Sequence, residues 1–211
     1  VYVLNVNKQT KRGYESEGRY VLDLSRYSKG HGDYDTTETM TLQKEALMRI
    51  ARIVRNQPEV KCTSISGSNA FPNGSGFYGV SFYADTTQAA MEQGVYAQWT
   101  MNYAEDGSQF FQTYGMKDAR NGQELIVPPG IADPPRCFIS AELARRLFGT
   151  VEVVGKKIFL GGKDISEEIA GVFEDYKHRD YNQPLPFVVR FKKDLVPTFG
   201  FLEYAVFLCL K

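Results

Sequence analysis

The 211 residues include two histidines, and each stands beside carboxylates. His178, between Asp175 and Asp180 (DYKHRD), has the makings of a general base oriented by an acid. No G-x-S-x-G or comparable nucleophile motif accompanies it, so histidine-dependent catalysis lacks its second half. His31, Asp33 and Asp35 (HGDYD) offer imidazole and oxygen ligands, but no second cluster stands at ligand spacing, and a solvated loop accounts for them. Glu167 and Glu168 are neighbours on a predicted strand, where successive side chains point to opposite faces. They cannot flank one glycosidic bond and read as edge charges. Cys62, Cys137 and Cys209 show neither C-x-x-C nor Cys/His spacing, which removes zinc and dithiol chemistry. Each lies in an apolar run, as a packing cysteine does, and at most one disulfide can form among them.

Gly74, Gly76 and Gly79 (GSGFYG) match the letters of the dinucleotide-binding fingerprint, whose glycines let amides at a helix start approach a pyrophosphate. No strand pattern precedes them and no helix pattern follows, so the fingerprint is rejected. Residues 149–157 (GTVEVVGKK) echo a phosphate-binding loop, with one residue too many and no Ser or Thr after the lysine. Trp99, Tyr96, Tyr103, Phe77, Phe82 and Tyr83 make an aromatic-rich region that reads as core rather than as a binding surface. The residue types call for no cofactor, no metal and no catalytic set. A binding or mechanical module is what they leave.

The elements that must position these residues follow from pattern. Hydrophobic residues make up 43% and charged residues 24%, the usage of a folded globular chain. The 25 Lys+Arg balance 25 Asp+Glu, so no basic footprint draws nucleic acid. Aromatics at 13% suit half-buried strands. There is no apolar run of membrane-spanning length and no secretory leader pattern. Residues 1–6 (VYVLNV) and 208–211 (LCLK) read as ends cut from something longer.

Residues 19–25 alternate as a strand, and residues 27–39 are loop by composition. Residues 41–57 place Leu42, Ala46, Leu47, Ile50, Ile53 and Val54 on one helical stripe, halted by Pro58. Residues 60–66 resume a strand, and residues 77–84 and 95–103 add two aromatic-rich ones. Residues 108–116 predict a short helix, with Phe110, Phe111 and Tyr114 on one side, and a proline-stiffened loop with Pro128, Pro129, Pro134 and Pro135 follows. Ser140 caps a helix ending at Gly149. Residues 156–160 and 165–173 read as a hairpin turned by Gly161-Gly162, and residues 184–191 and 204–210 as closing strands. The class is α+β.

In order along the chain, residues 138–149 (FISAELARRLFG), 154–162 (VGKKIFLGG), 169–176 (IAGVFEDY) and 184–189 (PLPFVV) resemble the MacB-like periplasmic core domains of MacB/FtsX/LolC-type ABC transporter permeases. Residues 14–24 (YESEGRYVLDL) resemble the stretch after the first membrane span of such permeases, and residues 110–122 (FFQTYGMKDARNG) another of their segments. Two details depart from the family pattern: Ala141 and Glu142 are shifted by one, and Glu174 precedes Asp175.

The resemblance implies a non-catalytic domain on the periplasmic face of the inner membrane, between the first two membrane helices, relaying ATP-driven motion to a periplasmic partner or substrate. It implies a tail of the first membrane helix at 1–12, a porter-like α/β half at 13–66 and 200–211, and an inserted, mostly antiparallel Sabre-like half at 67–199. In the family the porter-like half continues with a further helix and strand, so an unpaired sheet edge is expected here. Implied partners are an ABC ATPase subunit or domain, a second permease copy or homologue, and a periplasmic protein or lipoprotein. The expected partner-facing residues are Asn73, Phe77, Tyr78, Asp133 and Pro134. An extracytoplasmic ligand-binding sensor domain of a membrane receptor is the rival, and it predicts a pocket with convergent polar groups.

Overall fold

A computed structural model describes residues 12–23, 36–67, 78–104, 108–177, 183–195 and 204–211, with 23 and 36–40 as backbone. In chain order the elements are β1 (Arg19–Asp23), α1 (Thr36–Arg55), β2 (Val60–Gly67), β3 (Gly79–Tyr83), α2 (Thr86–Ala90), β4 (Val95–Tyr103), α3 (Phe110–Tyr114), β5 (Arg136–Ser140), α4 (Ala141–Phe148), β6 (Lys157–Leu160), β7 (Ser166–Phe173), β8 (Phe187–Lys192) and β9 (Tyr204–Leu210). The mixed α+β class expected from pattern is what these strands and helices form.

The strands join in the order β1-β9-β2-β4-β3-β6-β7-β5-β8, and β8 also pairs with β4. That last pairing closes six strands, β4-β3-β6-β7-β5-β8, into a ring. Each ring strand turns one face inward, supplying Phe82, Ala97, Ile139, Ile158, Ile169 and Val188 to one buried cluster. β4–β8 and β5–β7 are parallel and the other ring pairings antiparallel. Outside the ring, β9 runs antiparallel to both β1 and β2, so β1 and β2 are parallel with β9 between them. Among the described residues β1 has a partner on one side only. The link to the ring is narrow: Ser66 of β2 pairs with Asn102 of β4, and its Oγ donates to the Asn102 Oδ1.

α1 covers one face of β9 and β2, setting Leu47 and Ala51 against Ile65 of β2, Tyr103 of β4 and Val206 of β9. Two expectations about α1 need correction. It begins at Thr36 rather than Thr41, because residues 36–40 contain neither Gly nor Pro to stop a helix nucleated downstream. Its stripe is also narrower than predicted, since Leu42 and Ile53 are 58% and 55% exposed. On the other face, α3 and the segment after it bury Phe110, Phe111 and Met116 against Phe138 of the ring and Phe207 of β9. This cluster spans the ring and the three-stranded part.

α4 matches its sequence signals. The Ser140 Oγ accepts from the Leu143 N–H at 3.3 Å and from the Phe187 N–H at 3.0 Å, and Gly149 closes the helix at φ 73°. α2 was not foreseen, although its signal stands in the chain. Asp85 accepts from the Gln88 N–H at 2.8 Å while Gln88 Oε1 accepts from the Ala84 N–H at 3.1 Å, close to a reciprocal capping box.

Candidate functional site

The start of the segment leading into β1 is fastened to α3 and to the chain that follows β7, while its end, Gly18, accepts from the Leu210 N–H of β9 at 2.9 Å. The Lys177 N–H donates to the Arg12 carbonyl at 2.9 Å, and the Glu15 N–H to the Tyr114 carbonyl at 2.8 Å. Between them Gly13 takes φ 77°, and a Cβ there would collide with the Asp175 carbonyl oxygen and the Tyr176 Cα. Only glycine allows that approach. The Tyr14 ring meets Tyr176 edge-on with centroids 6.4 Å apart, and Tyr176 meets Phe187 of β8 at 5.2 Å. Burial pushes the Tyr114 and Tyr176 phenols well above their ordinary range.

Asp175 carries the contact onward. Its Oδ1 accepts from the Glu142 N–H at 2.6 Å, and its other oxygen pairs with Arg145. A carboxylate at the first turn of α4 meets the positive end of the helix dipole. Asp175 is therefore an anchor of α4. His178 and Asp180, like His31, Asp33 and Asp35, lie outside the described residues.

Inside the ring sits a charge pair, Glu167 with Arg190, of which the pattern reading placed Glu167 at a sheet edge. Glu167 is 7% exposed and Arg190 8%, and the Arg190 Nε donates to the Glu167 Oε1 at 2.8 Å while Nη2 donates to the same oxygen. The Arg190 guanidinium lies 5.6 Å from the Trp99 ring centroid, and Tyr78 stacks on Trp99 at 5.8 Å. The expectation that Glu167 and Glu168 face opposite ways holds, with Glu168 exposed. The edge-charge reading of Glu167 does not, because β7 is flanked on both sides by ring strands. Cys137 is fully buried, and burial first, with Glu167 nearby, raises its thiol pKa. A protonated, enclosed thiol is a poor nucleophile.

The remaining expected residues are scattered. Tyr78 is half-buried beside Trp99, which is in register with Val188 of β8. Asp133, followed by Pro134 after a cis peptide bond, pairs with exposed Lys193 just past the far end of β8. That ammonium holds the Asp133 carboxyl below its usual range. About five residues of strand, on the order of 16 Å, separate the two places. Asn73 and Phe77 lie outside the described residues. The aromatic region divides likewise, with Phe82, Tyr83 and Tyr103 buried and Tyr96 63% exposed. Gly79 opens a strand beneath the Tyr96 ring, which occupies the place of a Cβ, so it serves packing and not a phosphate. Among the described residues no group of three or more His, Cys, Asp and Glu could hold a metal ion. No helix among them is long and apolar enough to cross a membrane.

Comparison with known proteins gives this arrangement its kin. The family model of the MacB-like periplasmic core domain matches residues 3–192. The fold is similar to the periplasmic region of MacB from Actinobacillus actinomycetemcomitans, with 8% identity, TM-score 0.54, and coverage of 100% of this chain and 80% of that one. A second similar structure is the extracellular domain of the noncanonic ABC-type transporter YknZ from Gram-positive bacteria, with 13% identity, TM-score 0.49, and coverage of 91% and 84%. No curated protein matches the sequence. The chain belongs to the MacB-like periplasmic core domain family, as an extracytoplasmic, non-catalytic part of an ABC transporter permease.

Proposed function

We propose that this domain relays ATP-driven motion of the permease's membrane helices to a periplasmic partner or substrate. The observation that carries the reading is the fastening of residues 12–15 to Tyr114 and to the 175–177 segment. A pull on the chain ahead of β1 reaches α4 through Asp175 and the ring through Tyr176, without passing through the β1-β9-β2 sheet. Relay of this kind needs packed elements with two arrangements, biased from one end.

Within this reading residues 1–12 continue the first membrane helix, residues 13–66 and 200–211 form the porter-like half, and residues 67–199 the Sabre-like half. In support, all six ring strands fall within 79–192 and β1, β2 and β9 fall outside. The working partners are an ABC ATPase subunit or domain, a second permease copy or homologue, and a periplasmic protein or lipoprotein. The loops bearing Asn73, Phe77 and Tyr78, and Asp133 and Pro134, face the periplasmic partner. The rival sensor reading finds less support. The family model that matches the chain is that of a permease domain and not of a receptor sensor.

Gly13→Ala in the intact permease tests the relay. It should lower transport at least tenfold while the permease still reaches the membrane and its ATPase still turns over. Normal transport in that variant would overturn the relay through the 12–15 contact. In the same assay, loss of transport on replacing Phe77 and Tyr78, or Asp133 and Pro134, by alanine identifies the partner face, and unchanged transport in both rejects these loops.

A further inference from the structure

Cys62 and Cys209 are far apart in sequence, yet β2 and β9 bring them directly opposite one another. Residues so paired share a face of the sheet, with Cα atoms about 4.5–5.5 Å apart, within the roughly 4.4–6.8 Å that a disulfide bridges. The pair follows the irregularity that sets Val60 against Leu210 and skips Lys61, so the register itself selects these two cysteines. The Cys209 thiol is a neighbour of Cys62 and donates to the Leu210 carbonyl at 3.7 Å. The third cysteine is elsewhere: Cys137 lies opposite Ile169 and Arg190 inside the ring.

We propose that Cys62 and Cys209 are joined by a disulfide in the exported domain, a covalent staple fixing β9 to β2. The inference rests on the extracytoplasmic placement, because compartments outside the cytosol are oxidising and the cytosol keeps thiols reduced. It also accounts for a feature that packing alone leaves unexplained, the direct pairing of two cysteines across adjacent strands.

The oxidant is a disulfide of a thiol–disulfide oxidoreductase or of a small thiol. One cysteine, as thiolate, attacks a sulfur of that disulfide, whose S–S bond breaks and releases one thiolate. The second cysteine then attacks the mixed disulfide and releases the other. The two cysteine protons end on the two thiols of the reduced oxidant. In the folded reduced domain both residues are buried, Cys62 at 4% and Cys209 at 1% exposure. Burial first, then the Cys209 thiol beside it, pushes the Cys62 thiol up to about 12. Thiolate is scarce there at neutral pH, so oxidation belongs to the folding chain, before β9 closes over β2.

The test uses the intact permease in its own envelope. Whole cells are treated with a membrane-impermeant amine reagent, then dissolved in denaturant with a thiol-alkylating reagent and no reductant, and the digest is read by mass spectrometry. The expected result is a Cys62 peptide linked to the Cys209 peptide, alkylated Cys137, and surface lysines such as Lys193 labelled. Labelled lysines with Cys62 and Cys209 both alkylated would overturn the disulfide and leave the placement standing. Unlabelled lysines with free thiols would overturn both. Linkage of either cysteine to another protein would overturn the intramolecular staple.

Discussion

Glu167 and Arg190 are held in a space that favours neither charge alone. Taking both ions out of water costs several kcal/mol each, and mutual attraction repays this only when both are present. Glu167→Ala should therefore destabilise the domain by about 3–5 kcal/mol, since it strands the guanidinium under Trp99. The double change Glu167→Leu with Arg190→Met should cost far less, because two apolar chains of similar volume fit the ring interior. Denaturant unfolding of the isolated domain reads both, and equal losses in the two would reject a coupled pair. Asp118 shows the opposite balance. Burial acts first and raises its pKa, but the Arg120 side chain, at 3.0 Å through Nε and 2.6 Å through Nη2, and the Arg120 backbone N–H at 2.8 Å outweigh it, so the net shift is downward. A depressed folded pKa contributes stability that is present above the unfolded value near 3.9 and lost as pH falls through the folded one. Melting curves should show wild type above Asp118→Asn by about 1–3 kcal/mol at pH 7, with the gap closing below about pH 4. A gap that persisted at pH 2 would place the stabilisation elsewhere.

At the scale of elements, short-range chemistry was legible and long-range closure was not. Ser140 and Gly149 mark both ends of α4 because a cap needs only residues within one turn. The same kind of signal, Asp85 with Gln88, marks α2 and went unread beside the stronger strand pattern around it. Alternation along residues 166–173 separated Glu167 from Glu168, but no local rule tells which face is enclosed. That is decided by β8, whose Arg190 is 23 residues from Glu167. Asp175 illustrates the same limit: nothing beside it in the chain tells that folding sets it on the first turn of α4, 33 residues away at Glu142. Two orphan N–H groups of α4, those of Glu142 and Leu143, are satisfied by the side chains of Asp175 and Ser140. Asp175→Ala should accordingly cost about 1–2 kcal/mol, a fall in melting temperature of roughly 2–8 °C for a domain of this size. Thermal unfolding of Asp175→Ala, Ser140→Ala and the double variant would show less than additive loss if the two groups hold the same turn.

Across the whole molecule, the ring and the three-stranded part differ in how the chain must travel to make them. All six ring strands come from one continuous stretch, 79–192, so the ring can close without β1, β2 or β9. β9 must return from the far end of the sequence and insert between β1 and β2, which defers that part to the last and longest loop closure. Without β9, β1 has no partner among the described residues and β2 keeps only the Ser66–Asn102 bridge. β1 and β9 should then open as one unit, at lower free energy than the ring. In native-state hydrogen exchange on reduced protein, the amides of β1 and β9 should exchange together and ahead of those of β5 and β8, where β8 is paired on both sides and buried from Phe187 to Phe191. Exchange of all these strands at one common rate would mean that the two parts unfold only together. A domain that opens at the sheet while its ring stays closed could keep the 12–15 contact with the ring intact while β1 shifts, which is the mechanical property that the relay requires.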